Sequence, residues 1–162
     1  MIERPSARLI LLDPQDRLFL FNVHDPDVFD PVDPYHDPFW VMIGGRVDPG
    51  EDFVQAAVRE AYEETRLPLV EQPRWVWQRD RHMRWRGKDV LHQERFFLAR
   101  TDRTDADTSG LDALEQRFTR GHRWWSVEEI AASSERFEPT DLGKRLIALF
   151  RDGPPVEPIT IG

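Results

Sequence analysis

Apolar positions in this chain fall into short runs separated by proline, glycine and aspartate, with helical spacing in only a few places. Ala7 to Asp13 carries the unbroken run Leu9-Ile10-Leu11-Leu12, the pattern of a strand buried on both faces, and Pro14 to Asp16 make a turn. Arg17 to Val23 returns as a second strand through Leu18, Phe19, Leu20 and Phe21, and Phe39 to Ile43 reads as a short strand that runs into Gly44-Gly45. Arg74 to Arg84 and Lys88 to Ala99 read as two long strands joined at Arg86-Gly87. Between these strands, Phe53 to Arg66 has helical periodicity, with Phe53, Ala56, Ala57 and Ala61 as a mainly small apolar stripe that lets a helix lie close to a sheet.

The helix signals are ordinary ones. Asp52 is a good N-cap, Gln55 three residues later completes a capping-box pattern, and Pro68 stops the helix. Thr101 to Gly121 is polar and reads as loop-rich. Arg123 to Ser126 reads as a short strand, Val127 to Ala132 as a helix opened by Ser126, and a final helix starts at Thr140 or Asp141. Strands alternating with covering helices predict an α/β (α+β) fold, an α/β/α sandwich around a mixed sheet. Residues 1–152 are expected to form a single domain and residues 153–162 a C-terminal tail.

The chemistry concentrates on the first helix. Glu60, Glu63 and Glu64 stand at i, i+3 and i+4, so three carboxylates share one side of it. Like charges at that spacing cost an isolated helix about 0.2–0.5 kcal/mol per pair, so the row is either left in water or used to hold a cation. A turn-rich loop, Gly44-Gly45-Arg46-Val47-Asp48-Pro49-Gly50, precedes the helix and delivers a further acid, Glu51, at its entrance. Arg59 stands four residues before Glu63 and can hold that glutamate's rotamer.

From Gly45 to Leu67 these residues resemble the Nudix box of the Nudix hydrolases, G-x5-E-x7-R-E-U-x-E-E-x-G-U with U apolar. Gly45, Glu51, Arg59, Glu60, Ala61, Glu63, Glu64 and Leu67 match; the one departure is Arg66, where the pattern has a glycine suited to a left-handed C-terminal residue. The resemblance implies a Nudix-like sandwich, and a hydrolase that attacks the pyrophosphate of a nucleoside diphosphate joined to another moiety, using Mg²⁺ or Mn²⁺. It implies Glu60, Glu63 and Glu64 as metal-facing carboxylates, the Gly44 carbonyl as a further ligand, and Glu60 as the group that orients or deprotonates water. It implies that Arg59 orients the glutamates and that Glu51 supports the loop. The family often places another carboxylate after the long strands, as metal ligand or general base; Glu115 is the first choice here, Asp112 the second and Glu94 a rival.

Substrate contacts are expected from two further segments. His24 to Pro38 holds five aspartates and four prolines in 15 residues, the spacing of Asp-Pro turns, with Phe29, Tyr35 and Phe39 available for stacking. Arg74 to Lys88 interleaves Trp75, Trp77 and Trp85 with basic residues. One buried and one charged strand face would give this pattern, and Arg79, Arg81, Arg84 and Arg86 could also meet phosphate.

Composition narrows the alternatives. The absence of cysteine excludes a disulfide framework, a thiolate metal site and the cysteine-dependent isoprenoid isomerase branch of the family. A net charge of −8 disfavours a nucleic-acid partner bound through a broad basic surface, while leaving room for a small anion beside a metal ion. No apolar run approaches membrane-spanning length and the N-terminus lacks a signal-peptide core, so no membrane partner and a cytoplasmic location are expected. The sequence leaves open a homodimer, a nucleotide sensor that does not cleave, and an enzyme acting on RNA ends or caps.

Overall fold

A computed structural model describes residues 1–24, 28–29 and 38–162, the pair 28–29 by backbone alone. Thirteen elements alternate along the described chain. They are β1 (Ile2–Leu12), β2 (Leu18–Val23), β3 (Val28–Phe29), β4 (Phe39–Arg46), α1 (Phe53–Thr65), β5 (Arg74–Trp85), β6 (Lys88–Arg100), α2 (Ala113–Phe118), β7 (Thr119–Trp125), α3 (Val127–Ala132), β8 (Phe137–Glu138), α4 (Leu142–Asp152) and β9 (Ile159–Thr160). The strands form one mixed sheet in the order β3-β5-β6-β1-β2-β4-β8, with β7 on β2, β9 on β5 and an added β1–β4 pairing. β1 runs parallel to β6 over their whole shared length, while β5 and β6 form an antiparallel hairpin. Its two-residue turn, Arg86-Gly87, has positive φ at both positions (52° and 74°), the geometry that suits the strand twist.

Two apolar layers cover the sheet. On one side Ala7, Leu9, Leu11, Phe19 and Phe97 pack against Ala56, Ala57 and Ala61 of α1. On the other, Ile10, Leu12, Leu20, Phe96 and Trp125 pack against Ile130 of α3 and Leu142, Leu146 and Leu149 of α4. Alternate residues of β1 serve opposite layers, which is why that strand is apolar without a break. The small residues of α1 let its axis approach the sheet, so its glutamates reach the strand ends. The molecule is the α/β/α sandwich expected from the sequence.

Three local readings change. The segment 101–121 is not all loop: it holds α2, and β7 begins at Thr119, four residues earlier than expected. Asp112 and Glu115 form a capping box that opens this six-residue helix, a pattern too short to show apolar periodicity. The expected C-terminal tail joins the sheet: Ile159 and Thr160 pair with Trp77 and Gln78, and Ile161 is buried.

Candidate active site

The loop 44–52 and α1 are tied together by one arginine. The Arg59 guanidinium donates to both Glu51 carboxylate oxygens (2.8 and 2.9 Å), to Glu60 (3.0 Å), to Glu63 (3.2 Å) and to the Arg46 carbonyl (3.0 Å). A planar fork with five donors can satisfy such a set, and an ammonium cannot. The Glu51 contacts, above all, raise the proton affinity of Arg59 and hold the Glu51 carboxyl below the usual carboxylate range. Asp52 caps α1 with a full capping box, as expected.

The paired glycines make room for the carboxylates. A Cβ on Gly45 would lie 2.8 Å from the Glu60 carboxylate carbon, and one on Gly44 would collide with the Ala7 carbonyl oxygen across the β1–β4 pairing. The Gly44 N–H donates to Glu64 at 3.3 Å.

Among the described residues, Glu60, Glu64 and Glu115 each bring one carboxylate oxygen to within 4.8 Å of the others. Glu64 is 4% exposed, and burial, followed by the charges of Glu60 and Glu115, pushes its carboxyl well above the ordinary value; Arg8 and the Gly44 N–H oppose this. Burial likewise raises Glu60, against the pull of Arg59, and raises Glu115. Three crowded, desolvated carboxylates that hold protons too tightly are matched by a hard cation with oxygen ligands, so the donor set fits Mg²⁺ or Mn²⁺.

Glu63 stands outside this group: its side chain is half exposed and paired with Arg59. Asp112 is exposed and serves as the α2 cap, accepting from the Glu115 N–H at 2.8 Å. Glu94 points inward, as a strand position allows, but it is an ion-pair partner. It accepts from Arg79 (2.7 and 2.9 Å) and from Arg8 (3.1 Å); burial pushes its carboxyl up, but these charged partners prevail and hold it well below the ordinary value.

Beside the acids opens a cleft of about 270 Å³. Glu64, Glu115 and Gly44 line one part of it; Arg4, Arg8, Arg81 and His92 line another; Phe21, Phe39, Leu114 and Phe118 supply apolar wall. The register explains the basic part: Arg4, His92 and Arg81 occupy one rung across β1, β6 and β5. His92 accepts from or donates to the Ser6 hydroxyl at 2.8 Å and stays neutral, pushed down to about 3 by burial.

Of the expected substrate residues, Phe39, Arg79 and Arg81 line the cleft, with Arg79 buried between Glu94 and Glu138. Arg84 does not; it is exposed beside Asp89. Tyr35 lies outside the described residues, as does the side chain of Phe29. Trp77 is core, whereas Trp85 lines the cleft with Arg4 stacked over its ring at 4.7 Å. Sequence reading passed over Arg4 and Arg8, and left His92 open between polar surface and substrate contact. The signal available for the first two was polar residues at 4, 6 and 8 in a strand whose odd positions continue the apolar core.

A carboxylate cluster set by a loop and a helix against a mixed sheet lies beside a basic and aromatic cleft, an arrangement suited to metal-assisted chemistry on a phosphate group. A family model described as the NUDIX domain matches residues 3–146, and the chain belongs to the Nudix hydrolase family. The chain is 24% identical over 155 residues to a protein of Wolbachia pipientis named RNA pyrophosphohydrolase, covering 91% of this chain and 88% of that one. A protein of the same name from Cereibacter sphaeroides is 28% identical over 158 residues, covering 91% and 90%. Among solved structures the fold is shared with a MutT protein from Methanosarcina mazei Go1 (TM-score 0.65, 17% identity, 93% of this chain and 97% of that chain). It is also shared with a C. elegans Ap4A hydrolase (TM-score 0.58, 22% identity, 91% and 98%).

Proposed function

We propose that this chain is a Mg²⁺- or Mn²⁺-dependent pyrophosphohydrolase that cleaves the diphosphate linkage of a nucleotide joined to another group. The observation that carries the proposal is the convergence of Glu60, Glu64 and Glu115 within 4.8 Å at the edge of a cleft with basic and aromatic walls. These three carboxylates would hold the cation, with Glu63 and the Gly44 carbonyl as the further ligands the box implies. The bound cation supplies neutralisation of phosphate charge and a water of lowered pKa.

The chain's own residues do the rest. Arg59 fixes Glu60 and Glu63 through one rigid fork, which keeps the carboxylates in place when they lose their protons. Glu60 would orient or deprotonate the attacking water, with Glu115 the second carboxylate of the cluster near enough to share that role. Arg4 and Arg8 face the cleft where phosphate oxygens would lie, and Phe21, Phe39 and Phe118 exclude water and give a base or apolar group a surface. The reading places the protein in the cytoplasm, among its nucleotide substrates.

A second reading of the substrate is the 5′ end of an RNA. It is supported by the names of the two relatives, which align along nearly the whole chain, and by exposed Arg84, Arg86 and Lys88 at the hairpin tip next to Trp85. This weakens the expectation that a nucleic-acid partner is disfavoured. A panel of nucleoside triphosphates, dinucleoside polyphosphates, nucleotide sugars and 5′-triphosphorylated RNA, each with Mg²⁺ and with Mn²⁺, separates the readings. Release of pyrophosphate or phosphate from RNA at the highest kcat/KM selects the second. Binding without turnover across the panel would refute the enzyme reading and leave a sensor.

A further inference from the structure

Arg66 is the one residue that breaks the box pattern, and it occupies the left-handed C-cap position of α1 with φ 58° and ψ 14°. A non-glycine residue there costs about 1 kcal/mol. The helix still closes as a glycine would close it, with the Arg66 N–H bonded to the Tyr62 carbonyl at 3.0 Å. What the side chain does is therefore the informative part. Its guanidinium stacks on the Tyr62 ring at 4.7 Å and lies against Gly110, whose added Cβ would sit 2.7 Å from an Arg66 nitrogen and closer still to the Glu63 carbonyl oxygen.

That contact belongs to a docking seam. The Asp107 N–H donates to the Thr65 carbonyl at 2.9 Å, Gly110 approaches the Glu63 carbonyl, and Leu111 is buried in the layer beneath α1. The next residue, Asp112, caps α2, and its N–H donates at 3.0 Å to the same Glu115 carboxylate that meets Glu60 and Glu64. α1 thus carries two of the three clustered acids, Glu60 and Glu64, and its last turn grips the loop that delivers the third.

We infer that Arg66 is a positioning residue: its guanidinium clamps the 107–111 segment onto the end of α1 and thereby sets Glu115 against Glu60 and Glu64. This rests on the reading that Glu115 helps hold the divalent cation. In a pattern-conforming chain the glycine secures only the helix end; here the arginine secures the helix end and the loop together.

The test is a double-mutant cycle on Mn²⁺ binding, with free Mn²⁺ followed by its paramagnetic resonance signal and no substrate present. Arg66→Gly relieves the left-handed strain, so a purely local role leaves Mn²⁺ affinity unchanged. The clamp instead predicts a loss of about tenfold, within the range seen when groups behind metal ligands are removed. Gly110→Ala, which pushes on the same seam from the other side, is expected to lose affinity as well. Glu115→Gln is expected to lose affinity by itself, and adding Arg66→Gly to it is expected to change affinity by less than about twofold. Amide exchange at Asp107 in the metal-free protein should be faster in Arg66→Gly than in wild type. If Glu115→Gln alone binds Mn²⁺ as wild type does, the metal role of Glu115 fails and the clamp fails with it. If Glu115→Gln weakens Mn²⁺ but Arg66→Gly does not, or the two effects simply multiply, the clamp alone is overturned.

Discussion

Glu64→Gln is expected to make the metal-free protein more stable and the metal-bound protein less so. Glu64 is 4% exposed and its carboxylate lies within 4.8 Å of those of Glu60 and Glu115. At an effective dielectric constant of about 20, each pair of unit charges 4.8 Å apart repels by about 3–4 kcal/mol. Shared protons, Arg8 and the Gly44 N–H relieve much of that, leaving a net gain of about 1–3 kcal/mol when the charge is removed. A glutamine oxygen can still accept from the Gly44 N–H, so no donor is stranded. The sign with pH follows from the direction of the shift. A carboxyl whose folded pKa is raised stabilises the fold below its unfolded value and loses that contribution as pH rises through the folded value. Metal-free wild type should therefore weaken as pH climbs above the ordinary carboxylate range, and the variant should weaken less. For a chain of this size 1–3 kcal/mol corresponds to a rise of about 3–10 °C in Tm at mildly alkaline pH in the presence of a chelator. Saturating Mn²⁺ should add about 2.7 kcal/mol to wild type at a hundred times its Kd and little to the variant. Thermal unfolding with and without chelator, across pH, reads all three. A variant that is less stable than wild type without metal, yet gains as much from Mn²⁺, would refute the cradle.

Other substitutions separate the parts of the site. Gly45→Ala places a methyl group against the Glu60 carboxylate and should lower kcat by about a hundredfold with the fold retained, as judged by circular dichroism. Glu94→Gln removes a fully buried ion-pair partner of Arg79 and Arg8 and should cost about 3–5 kcal/mol in urea unfolding at neutral pH. Because its carboxyl is held low, that contribution is present above the ordinary carboxylate range and is lost as pH falls, so the difference from wild type should narrow in acid. Arg84→Ala, outside the cleft, should leave KM for a small nucleotide substrate within about twofold, whereas Arg4→Ala should raise it by about tenfold.

Much of this was legible in the sequence where the signal was local and strong. The both-faces-apolar run of β1, the capping box at Asp52 and the spacing of the glutamates each follow from a periodicity or a backbone requirement that a few neighbouring residues satisfy. The left-handed residue at 66 was legible too, from the glycine that the pattern puts there; what its side chain touches was not, because Gly110 is 44 residues away in sequence. Glu115 could be suggested only as one of several acids, since the turn of helix that aims it is too short to show a period. The buried cluster of Arg79, Glu94 and Glu138 was hidden for a related reason. Charges in a strand read as a solvated face until the fold pairs them, Arg79 with Glu94 across the β5–β6 register and with Glu138 from β8 at the other end of the sheet. The grouping of Arg4 with His92 and Arg81 likewise depends on β1 lying parallel to β6, which no local pattern specifies.

The proposed hydrolysis requires water to be delivered to phosphorus by this particular set of carboxylates. The most direct test runs the best substrate of the panel in ¹⁸O-labelled water with Mg²⁺, for wild type and Glu60→Gln, and reads the label in the products by mass spectrometry. The expected result is one ¹⁸O on a phosphate product from wild type, no turnover with chelator, and a rate at least about a hundredfold lower in Glu60→Gln. Unchanged turnover in Glu60→Gln, or label appearing anywhere other than on phosphorus, would contradict it.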